Sequence, residues 1–491
     1  MKSEFTKGKI LLLLGLTGAL CFLPSLFFFF CADDFVWIEK SKDLCLTTIP
    51  DLVKDYNFTL RFRPVINLVF KFYYHIFFLK PFWYHLFNLV LHILNTFLLY
   101  LLISHFSKDF RLNLCIVFIF LTHFIHEESV FWISSVSTLL GAFLYLGSLL
   151  MFFNYQDGTR RKSKYFFSIF LFSIALFSRE DSFTLPFVIL ILIYLKSIGW
   201  SDFVIKLKKQ IGSLCPFLTI SILFLILQLF IFQPPFFSKT FTLSPLNWIK
   251  NGFYIIGNYL LPARFFFDLS GYRLHDFSLN IFKRSSGSIF WGVILLFLAF
   301  IFVFLIMRLF QRRNFLFNFG ILFSVATALP YLFLNANGQR FCYLPAIGFS
   351  AALLGFLQIL FQRKKGDDFT RLYKRLSLVI SVAVVFNFFV LYERGYWWWE
   401  GGSTARDIMQ QAEEVVADIP SQKTLYFVDL PRRIHGSYVF HQGFPEAIKL
   451  FYPDFEVEIK QVNQSDLDKI ENWEGEYAFK YEDGGLVRLT K

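Results

Sequence analysis

Four short clusters of ionisable residues give this sequence its candidate chemistry. They are Asp33-Asp34, His123-Phe124-Ile125-His126-Glu127-Glu128, Arg179-Glu180-Asp181 and Gln339-Arg340. A carboxylate or an imidazole takes up and releases protons during a reaction, and a guanidinium binds anions such as phosphate. Each cluster adjoins a long apolar segment, so the placement of those segments decides whether the clusters can meet.

The apolar segments follow from an extreme composition. The chain has 491 residues, of which 56% are hydrophobic, 17% are charged and 71 are phenylalanine, whereas soluble domains are about 25% charged. Its mean hydropathy is +0.52. Apolar stretches long enough to cross a bilayer recur over the first 395 positions, which predicts a polytopic α-helical membrane protein. A nucleic-acid binder, a soluble enzyme, a disulfide scaffold and a disordered chain are excluded.

We predict an all-α membrane bundle of about eleven transmembrane helices over residues 1–400. The predicted spans are 9–30, 81–105, 111–126, 129–154, 164–178, 182–200, 214–233, 288–309, 315–334, 341–361 and 376–395. The first span starts with basic residues like a signal peptide. Its apolar stretch is too long and lacks a small-residue cleavage site, so we expect an uncleaved anchor.

Two connections between the spans are long, at residues 31–80 and 234–287. Each is expected to contain an amphipathic helix, at Pro64–Leu79 and Trp248–Leu261. Cys31 and Cys45 lie in the first loop, where they either pair in an oxidising compartment or remain free thiols.

Residues 401–491 have an ordinary soluble composition and are predicted to form a small α/β domain. Helices are expected at Thr404–Ile419 and near Pro445–Phe451, strands at Thr424–Leu430 and Phe455–Val462, and a hairpin at Tyr477–Leu489. The hairpin should turn at Asp483-Gly484-Gly485, since an Asp-Gly pair favours a tight turn.

The distribution of charge predicts the orientation. The net charge is +18 over residues 1–400 and −6 over residues 401–491. With the N-terminus inside, the short inner loops contain 22 Lys and Arg residues, whereas the short outer connections contain only Arg179 and Arg340. The positive-inside rule therefore predicts an N-terminus inside and a C-terminal domain outside the cytoplasmic (inner) membrane. The Phe-rich composition and compact size suggest a bacterial source.

This orientation places all four ionisable clusters on the outer side, which indicates one site. The third and fifth spans offer only Leu112–Ile125 and Tyr165–Ser178 as apolar stretches, about 21 Å of helix against a hydrocarbon thickness of about 30 Å. Their outer ends are therefore expected to lie in a recessed cavity. Ionisable side chains at that depth are costly, and they mark functional sites.

Each cluster also has a structural interpretation. Asp33-Asp34 also fits the start of a solvated loop, and Arg179-Glu180 also fits an ion pair at a helix end. His123, His126 and Glu127 resemble half of a metal site, but their spacing is not that of HExxH and no third ligand is placed.

A polar stripe follows one face of the second span, at His85, Asn88, His92 and Asn95. Such stripes usually form hydrogen bonds between membrane helices. Ligand contact is the alternative for His85 and Asn88, which lie nearest the outer surface.

Taken in order, these motifs resemble those of GT-C glycosyltransferases of the O-mannosyltransferase type. The resemblance is closest to the transmembrane and tetratricopeptide-containing subgroup and its bacterial relatives, and it covers about residues 20–350. The matching segments are Asp33-Asp34, Arg63-Pro64, Pro81-Phe82-x-x-His85-x-x-Asn88-x-x-x-His92, His123-x-x-His126-x-Glu128-x-Val130 (similar to HPxHTEAV), Ser178-Arg179-Glu180 (similar to SKE) and Gln339-Arg340-Phe341-Cys342-Tyr343-Leu344-Pro345 (similar to ERYxYLP).

The sequence departs from those motifs at several positions. Phe124 replaces the proline, Glu127 the threonine, Arg179 the lysine and Gln339 the glutamate. The lysine-to-arginine change keeps the charge but alters the geometry of its hydrogen bonds. The tail is not a tetratricopeptide array, so the acceptor of that subgroup is not carried over.

The resemblance implies transfer of a sugar from a polyprenyl-phosphate carrier to an acceptor outside the membrane. Asp33 or Asp34 would be the general base of a one-step inverting displacement, with Asp34 favoured. One of the two carboxylates should turn inward and the other stay solvated, because adjacent anions repel. The residues expected to bind the donor phosphate are Arg63, Arg179 and Arg340. The residues expected to orient the acceptor or the base are His126, Glu127, Glu128, Glu180, His85 and Asn88, with Glu128 also a catalytic candidate.

The implied partners are the lipid-linked donor, membrane lipid and an unknown protein, lipid or glycan acceptor, with no nucleic acid. No metal ligands are assigned, and a divalent cation is left open as a cofactor. The main alternative is a transporter or lipid flippase with a polar outward-facing cavity, although the internal repeat typical of such proteins is not seen. An outer-face binding protein built around the acidic tail is a third reading.

Overall fold

The computed structural model describes residues 7–44, 63–157, 161–228, 244–260, 262, 314–334, 338–361, 369–417, 419–467 and 477–489. Several predicted features lie outside these residues. They are the span at 288–309, Cys45 and most of the loop at 234–287.

Helices make up most of the described chain. The α-helices are Lys7–Phe22, Asp33–Lys42, Pro64–Phe77, Pro81–Ser104, Phe110–Thr122, Glu127–Phe131, Val136–Asp157, Lys162–Ser178, Leu185–Leu195, Trp200–Ile226, Pro245–Leu260, Phe315–Leu332, Tyr343–Phe361, Phe369–Ala417, Phe444–Phe451 and Gln464–Leu467. Short 3-10 turns occur at Leu23–Phe27, Phe124–His126, Ile133–Ser135, Glu180–Thr184 and Gln339–Cys342. Both predicted amphipathic helices are present, at Pro64–Phe77 and Pro245–Leu260.

Within the described residues, seven helices are long and apolar enough to cross a membrane. They are Lys7–Phe27, Pro81–Ser104, Ile133–Gln156, Trp200–Ile226, Phe315–Leu332, Gln339–Phe361 and Arg371–Ala417. An eighth is counted if Phe110–Thr122 and Phe124–Phe131, which bend by 46° at their junction, form one span. The predicted polytopic helical membrane fold is confirmed.

The helix at the predicted span 164–178 is two residues longer than expected, whereas the helix at 182–200 is much shorter. The two helices, Lys162–Ser178 and Leu185–Leu195, have 17 and 11 residues. An 11-residue helix is about 16 Å long, well below the thickness of the hydrocarbon core. The second helix starts late because the 3-10 turn Glu180–Thr184 precedes it.

The last predicted span continues into the tail as one helix. Phe369–Ala417 has 49 residues and runs through position 400 without a break. The predicted helix at Thr404–Ile419 is thus the end of the last span's helix. The domain division at residue 400 stays a prediction.

A small α/β region follows, as predicted. Its strands are β1 Thr424–Val428, β2 Arg433–Ile434, β3 Ser437–Tyr438, β4 Glu458–Val462, β5 Tyr477–Glu482 and β6 Gly485–Leu489. Four of them form a sheet with the order β4-β1-β5-β6, while β2 and β3 form a separate pair. β1 is parallel to β4 and β5, and β5 forms the predicted antiparallel hairpin with β6. The hairpin turns through positive φ at Asp483 (49°) and Gly484 (85°), as a tight primed turn requires.

The chain divides into two compact units. The first unit consists of Met1–Gly18, Leu91–Ser129 and Thr138–Val390, and the second of Ala19–Val90, Val130–Ser137 and Leu391–Lys491. The candidate residues of each unit are described separately below.

Candidate functional site

In the second unit, the two adjacent carboxylates occupy different environments. They begin the helix Asp33–Lys42. Asp34 is 1% exposed, whereas Asp33 is half-buried and accepts a hydrogen bond from Nε2 of Gln442 at 2.7 Å. One carboxylate therefore points inward and its neighbour lies at the surface, as repulsion between adjacent anions predicts.

The Asp34 carboxylate is held by donors at both oxygens. Its Oδ1 accepts from the backbone N–H of Ser134 at 2.8 Å and from the Ser134 hydroxyl. Its Oδ2 accepts from the backbone N–H of Cys31 at 3.1 Å and faces the Cys31 thiol at 3.7 Å. The turn Ile133–Ser135 thus fixes the orientation of a carboxylate that stands 100 positions earlier in the chain.

Burial gives this carboxyl an altered acidity. The pKa of Asp34 is raised to about 7, mainly by loss of solvation and also by the negative charge of Asp33, while the hydrogen bonds from Ser134 and Cys31 lower it. A carboxyl with a pKa near neutrality is suited to general acid-base catalysis, because it can both accept and release a proton at the working pH.

Arg63, His85 and Asn88 also lie in the second unit. Arg63 is half-buried at the start of the helix Pro64–Phe77, and its Nη1 donates to Oγ of Ser137 at 3.4 Å. Asn88 is fully buried, and its Nδ2 donates to the carbonyl of Trp132 at 3.0 Å. Asn88 thereby supports the segment that carries Ser134. This is a hydrogen bond within the protein, as a polar stripe usually forms.

The His85 side chain is enclosed. It is 1% exposed, and its ring meets Phe28 edge to face with centroids 5.8 Å apart. Neither of its ring nitrogens has a hydrogen-bond partner among the described residues. A buried imidazole in that state has unused hydrogen-bonding capacity.

The first unit contains the other two candidate arginines. Arg340 forms an ion pair through Nη1 with Glu128, and its backbone N–H donates to Oε2 of Glu128 at 3.0 Å. Arg179 pairs through Nε with Oδ2 of Asp181 at 3.3 Å, and the Tyr331 hydroxyl donates to that same carboxylate. Each guanidinium therefore faces a carboxylate.

The two arginines meet at one aromatic ring. The guanidinium carbon of Arg340 lies 4.8 Å from the centroid of Phe341, and that of Arg179 lies 5.8 Å from the same centroid. The Arg340 side chain is 23% exposed and that of Arg179 is 4% exposed. Arg340 is thus the guanidinium of this pair that an added anion can reach more readily.

Close helix packing positions this arginine cluster. A Cβ built at Gly320 would lie 2.4 Å from the carbonyl oxygen of Gly348, and one at Gly355 would lie 2.4 Å from the backbone nitrogen of Phe317. The helices Phe315–Leu332 and Tyr343–Phe361 can approach this closely only because glycine stands at the contacts. Tyr331 lies in the last turn of the first helix, and Arg340 lies in the 3-10 turn that precedes the second.

His126, Glu127 and Glu180 complete the predicted set in this unit. His126 is fully buried, with its ring centroid 4.8 Å from Tyr343 and 4.9 Å from His92. Glu127 is buried and Glu180 half-buried. His92 forms hydrogen bonds within the protein, to the Tyr343 hydroxyl at 2.8 Å and to a backbone carbonyl at 3.0 Å.

The structure thus groups the sequence-predicted residues in two sets. The second unit holds Asp33, Asp34, Arg63, His85 and Asn88, and the first unit holds His126, Glu127, Glu128, Arg179, Glu180 and Arg340. In the described parts of the chain, no three His, Cys, Asp or Glu side chains are grouped so as to hold a metal ion. Whether a divalent cation takes part stays a prediction.

Sequence reasoning missed the partners of these groups. Ser134, Tyr331 and Phe341 were not assigned, and Asp181 was noted only as part of its cluster. The segment Gln339–Phe341 carried a detectable signal because it belongs to a motif. Ser134 carried none, because a serine near the start of an apolar span has no distinguishing local pattern.

Comparison with known proteins identifies the fold. No family model and no curated protein matches the chain. Among solved structures, the chain is similar to apo ArnT from Cupriavidus metallidurans, with a TM-score of 0.52, 12% identity, and coverage of 97% of this chain and 93% of that chain. It also aligns with ArnT from the same organism bound to undecaprenyl phosphate, with a TM-score of 0.47, 12% identity, and coverage of 97% and 94%.

The likeness to apo ArnT extends over almost the whole of both chains. At 12% identity it establishes the fold alone. The chain therefore has an ArnT-like polytopic membrane fold.

Proposed function

We propose that this protein is an integral-membrane glycosyltransferase. It moves a sugar from a polyprenyl-phosphate carrier to an acceptor on the extracytoplasmic side of a bacterial inner membrane. The observation that carries the proposal is the buried Asp34 carboxylate, which Ser134 and Cys31 orient, in a chain whose fold is that of a membrane glycosyltransferase.

Asp34 is the general base of a one-step inverting transfer. It takes the proton of the acceptor hydroxyl as the acceptor oxygen bonds to the anomeric carbon of the sugar. The bond from that carbon to the phosphate oxygen breaks, and polyprenyl phosphate leaves as the anion. The half-buried Asp33 holds a surface hydrogen bond with Gln442 and does not take the proton.

Arg340 is the principal group proposed for the donor phosphate, with the more deeply buried Arg179 at the same Phe341 ring as a second. Arg63 remains a candidate phosphate-binding residue of the second unit. Charge-assisted hydrogen bonds from guanidinium suit a phosphodiester. Glu128 holds Arg340 in place through two contacts, so its proposed role is to orient that arginine rather than to act as the base.

The remaining buried polar residues orient the substrates. His85 keeps both ring nitrogens without hydrogen-bond partners in the described chain, which leaves it able to bind a substrate hydroxyl. The buried His126 is proposed to orient the acceptor or the base. Glu180 follows Arg179 in the sequence, and Glu127 precedes Glu128, the partner of Arg340; both are proposed to orient the acceptor or the base.

The donor class follows from the sequence resemblance to O-mannosyltransferases, and ArnT itself is seen bound to undecaprenyl phosphate. A hexose is the proposed sugar. The proposed orientation places the N-terminus inside and residues 401–491 outside, as the charge distribution predicts. A requirement for a divalent cation is decided by measuring turnover with EDTA and then with added Mg²⁺.

The test is a carrier-release assay. Purified protein in liposomes is given undecaprenyl-phosphate-linked mannose or glucose, with a bacterial envelope extract as the source of acceptors. Free undecaprenyl phosphate should accumulate and labelled sugar should appear on an acceptor. Movement of the intact sugar-lipid across the bilayer, with no carrier released, would instead establish the flippase alternative.

A further inference from the structure

The C-terminal region contacts the base-bearing helix directly within the second unit. The backbone N–H of Ala32, which immediately precedes Asp33, donates to the carbonyl of Val439 at 2.7 Å. The aromatic ring of Phe35 stacks on Phe440 with centroids 5.8 Å apart and an interplanar angle of 28°. Both rings are fully buried. These contacts join the first turn of the helix to a segment about 400 residues later in the chain.

The contacted turn is strained. Ala32 has φ 46° and ψ −118°, a conformation that residues with a side chain rarely adopt. Such strain persists only where surrounding structure holds it in place. The hydrogen bond to Val439 and the packing of Phe440 hold Ala32 in this conformation. Ala32 in turn sets the direction of Asp33 and Asp34.

Gly443 makes the close approach possible. It has φ +95°, and a Cβ at this position would lie 2.4 Å from the carbonyl oxygen of Ala32 and 3.0 Å from Cγ2 of Val36. The neighbouring Gln442 donates from Nε2 to Oδ1 of Asp33 at 2.7 Å. Segment 439–443 therefore contacts the turn at its backbone, at its buried ring and at its surface carboxylate.

We propose that the C-terminal region is a positioning element of the catalytic unit, in which segment 439–443 holds the turn at Ala32 and so fixes the Asp34 carboxylate. This inference rests on the proposed role of Asp34 as base. It gives the tail a function in the reaction itself, with Gly443 and Gln442 as positioning residues.

The first test compares two glycine substitutions. Gly443→Ala forces a side chain against the Ala32 carbonyl, whereas Gly484→Ala carries the same positive-φ strain (φ +85°) with no atom within 4 Å of the new Cβ. With undecaprenyl phosphate mannose as donor, kcat should fall about 10- to 100-fold in Gly443→Ala with KM for the donor little changed. Gly484→Ala should stay within about twofold of wild type. Equal kcat in the two folded variants would overturn the proposal.

The second test measures how a charge at position 442 changes the pH dependence of kcat/KM. It does not depend on whether Gly443→Ala folds. The titratable groups that interact electrostatically with Asp34 are Asp33, Cys31 and Tyr84. Gln442→Lys keeps a donor to Asp33 and should move the acidic limb of the kcat/KM profile to lower pH. Gln442→Glu places a second anion there and should move the limb to higher pH. The same two substitutions at the exposed Gln410 serve as controls, and shifts no larger at position 442 than at 410 would overturn the proposal.

Failure of the proposed function is distinguishable from failure of this inference. If the wild type turns over no lipid-linked sugar, the enzyme assignment fails on its own. Hydrogen exchange then tests the contact independently of activity. Amides of residues 31–42 should exchange faster in Gly443→Ala than in Gly484→Ala, and equal exchange would overturn the positioning role.

Discussion

Asp34 accepts two hydrogen bonds from Ser134, one from its backbone N–H at 2.8 Å and one from its hydroxyl. A turn outside the helix that carries Asp34 therefore fixes one oxygen of the proposed base. The same bonds stabilise the charged form of a carboxylate that burial would otherwise keep protonated.

Ser134→Ala should shift the pH dependence of turnover. The pKa of Asp34 is about 7, because burial raises it and the Ser134 hydroxyl partly opposes that rise. Wild-type kcat/KM should therefore fall about tenfold per unit below pH 7, because a protonated base accepts no proton. Loss of the hydroxyl raises that pKa, so the acidic limb should move to higher pH. Ser135→Ala is the matched control, since Oγ of Ser135 has no hydrogen-bond partner among the described residues. An unmoved limb in Ser134→Ala would contradict the assignment.

Arg340→Ala should weaken donor binding more than acceptor binding. A charge-assisted hydrogen bond contributes roughly 1.5–3 kcal/mol, so undecaprenyl phosphate should bind about ten- to a hundredfold more weakly. Arg340→Lys should recover only part of the loss, because an ammonium lacks the planar fork of donors. Binding is measured by titration in detergent micelles. The exposed Arg371 provides a control of equal charge change, and unaltered affinity in Arg340→Ala would remove the phosphate site.

Asp181→Asn should lower the stability of the folded protein and not only its catalytic activity. Asp181 is buried and faces both Arg179 and the Tyr331 hydroxyl, so its neutralisation leaves the buried Arg179 beside a weaker acceptor. Removing one member of a buried ion pair typically costs roughly 3–5 kcal/mol. The melting temperature should drop clearly, whereas Glu180→Gln, at a half-buried neighbour, should change it little. Equal melting temperatures would show that the Asp181 contact is not stabilising.

A reporter fused after Lys491 tests the orientation. The basic residues of the short inner loops predict that the C-terminus lies outside the cytoplasm. A reporter active only in the cytoplasm should therefore be silent there, and one active only outside should give signal. A fusion after Asp157, in a predicted inner loop, should give the reverse pattern. Cytoplasmic activity at Lys491 would overturn the orientation.

Much of the fold could be predicted from the sequence because its signals are local. Apolar length predicted the spanning helices, and the Asp483-Gly484 pair predicted the hairpin turn, where both residues have positive φ. The length of the helix Leu185–Leu195 was overestimated, because an apolar stretch continues through residues that the helix does not include. The continuity of Phe369–Ala417 was missed, since Gly401-Gly402 resembles a linker although it lies within a helix.

The candidate site was only partly predictable, because its geometry depends on long-range contacts. Asp34 and Arg340 stand in motifs, so the sequence alone singles them out as candidates. Other residues of the candidate site contact partners far away in the chain. They are Ser134, Asp181 and Gly443. No spacing in a single sequence encodes such contacts.

The most direct test of the central claim is the turnover of undecaprenyl phosphate mannose by Asp34→Asn, measured beside wild type, Asp33→Asn and Glu128→Gln. Asparagine keeps the shape of the side chain and removes proton acceptance. Turnover by Asp34→Asn should therefore fall about 10²–10⁴-fold while donor binding persists. Asp33→Asn should stay close to wild type, and Glu128→Gln should lose donor affinity through Arg340. Near-normal turnover by Asp34→Asn would contradict the account, and loss of the chemical step only in Glu128→Gln would move the base to that residue.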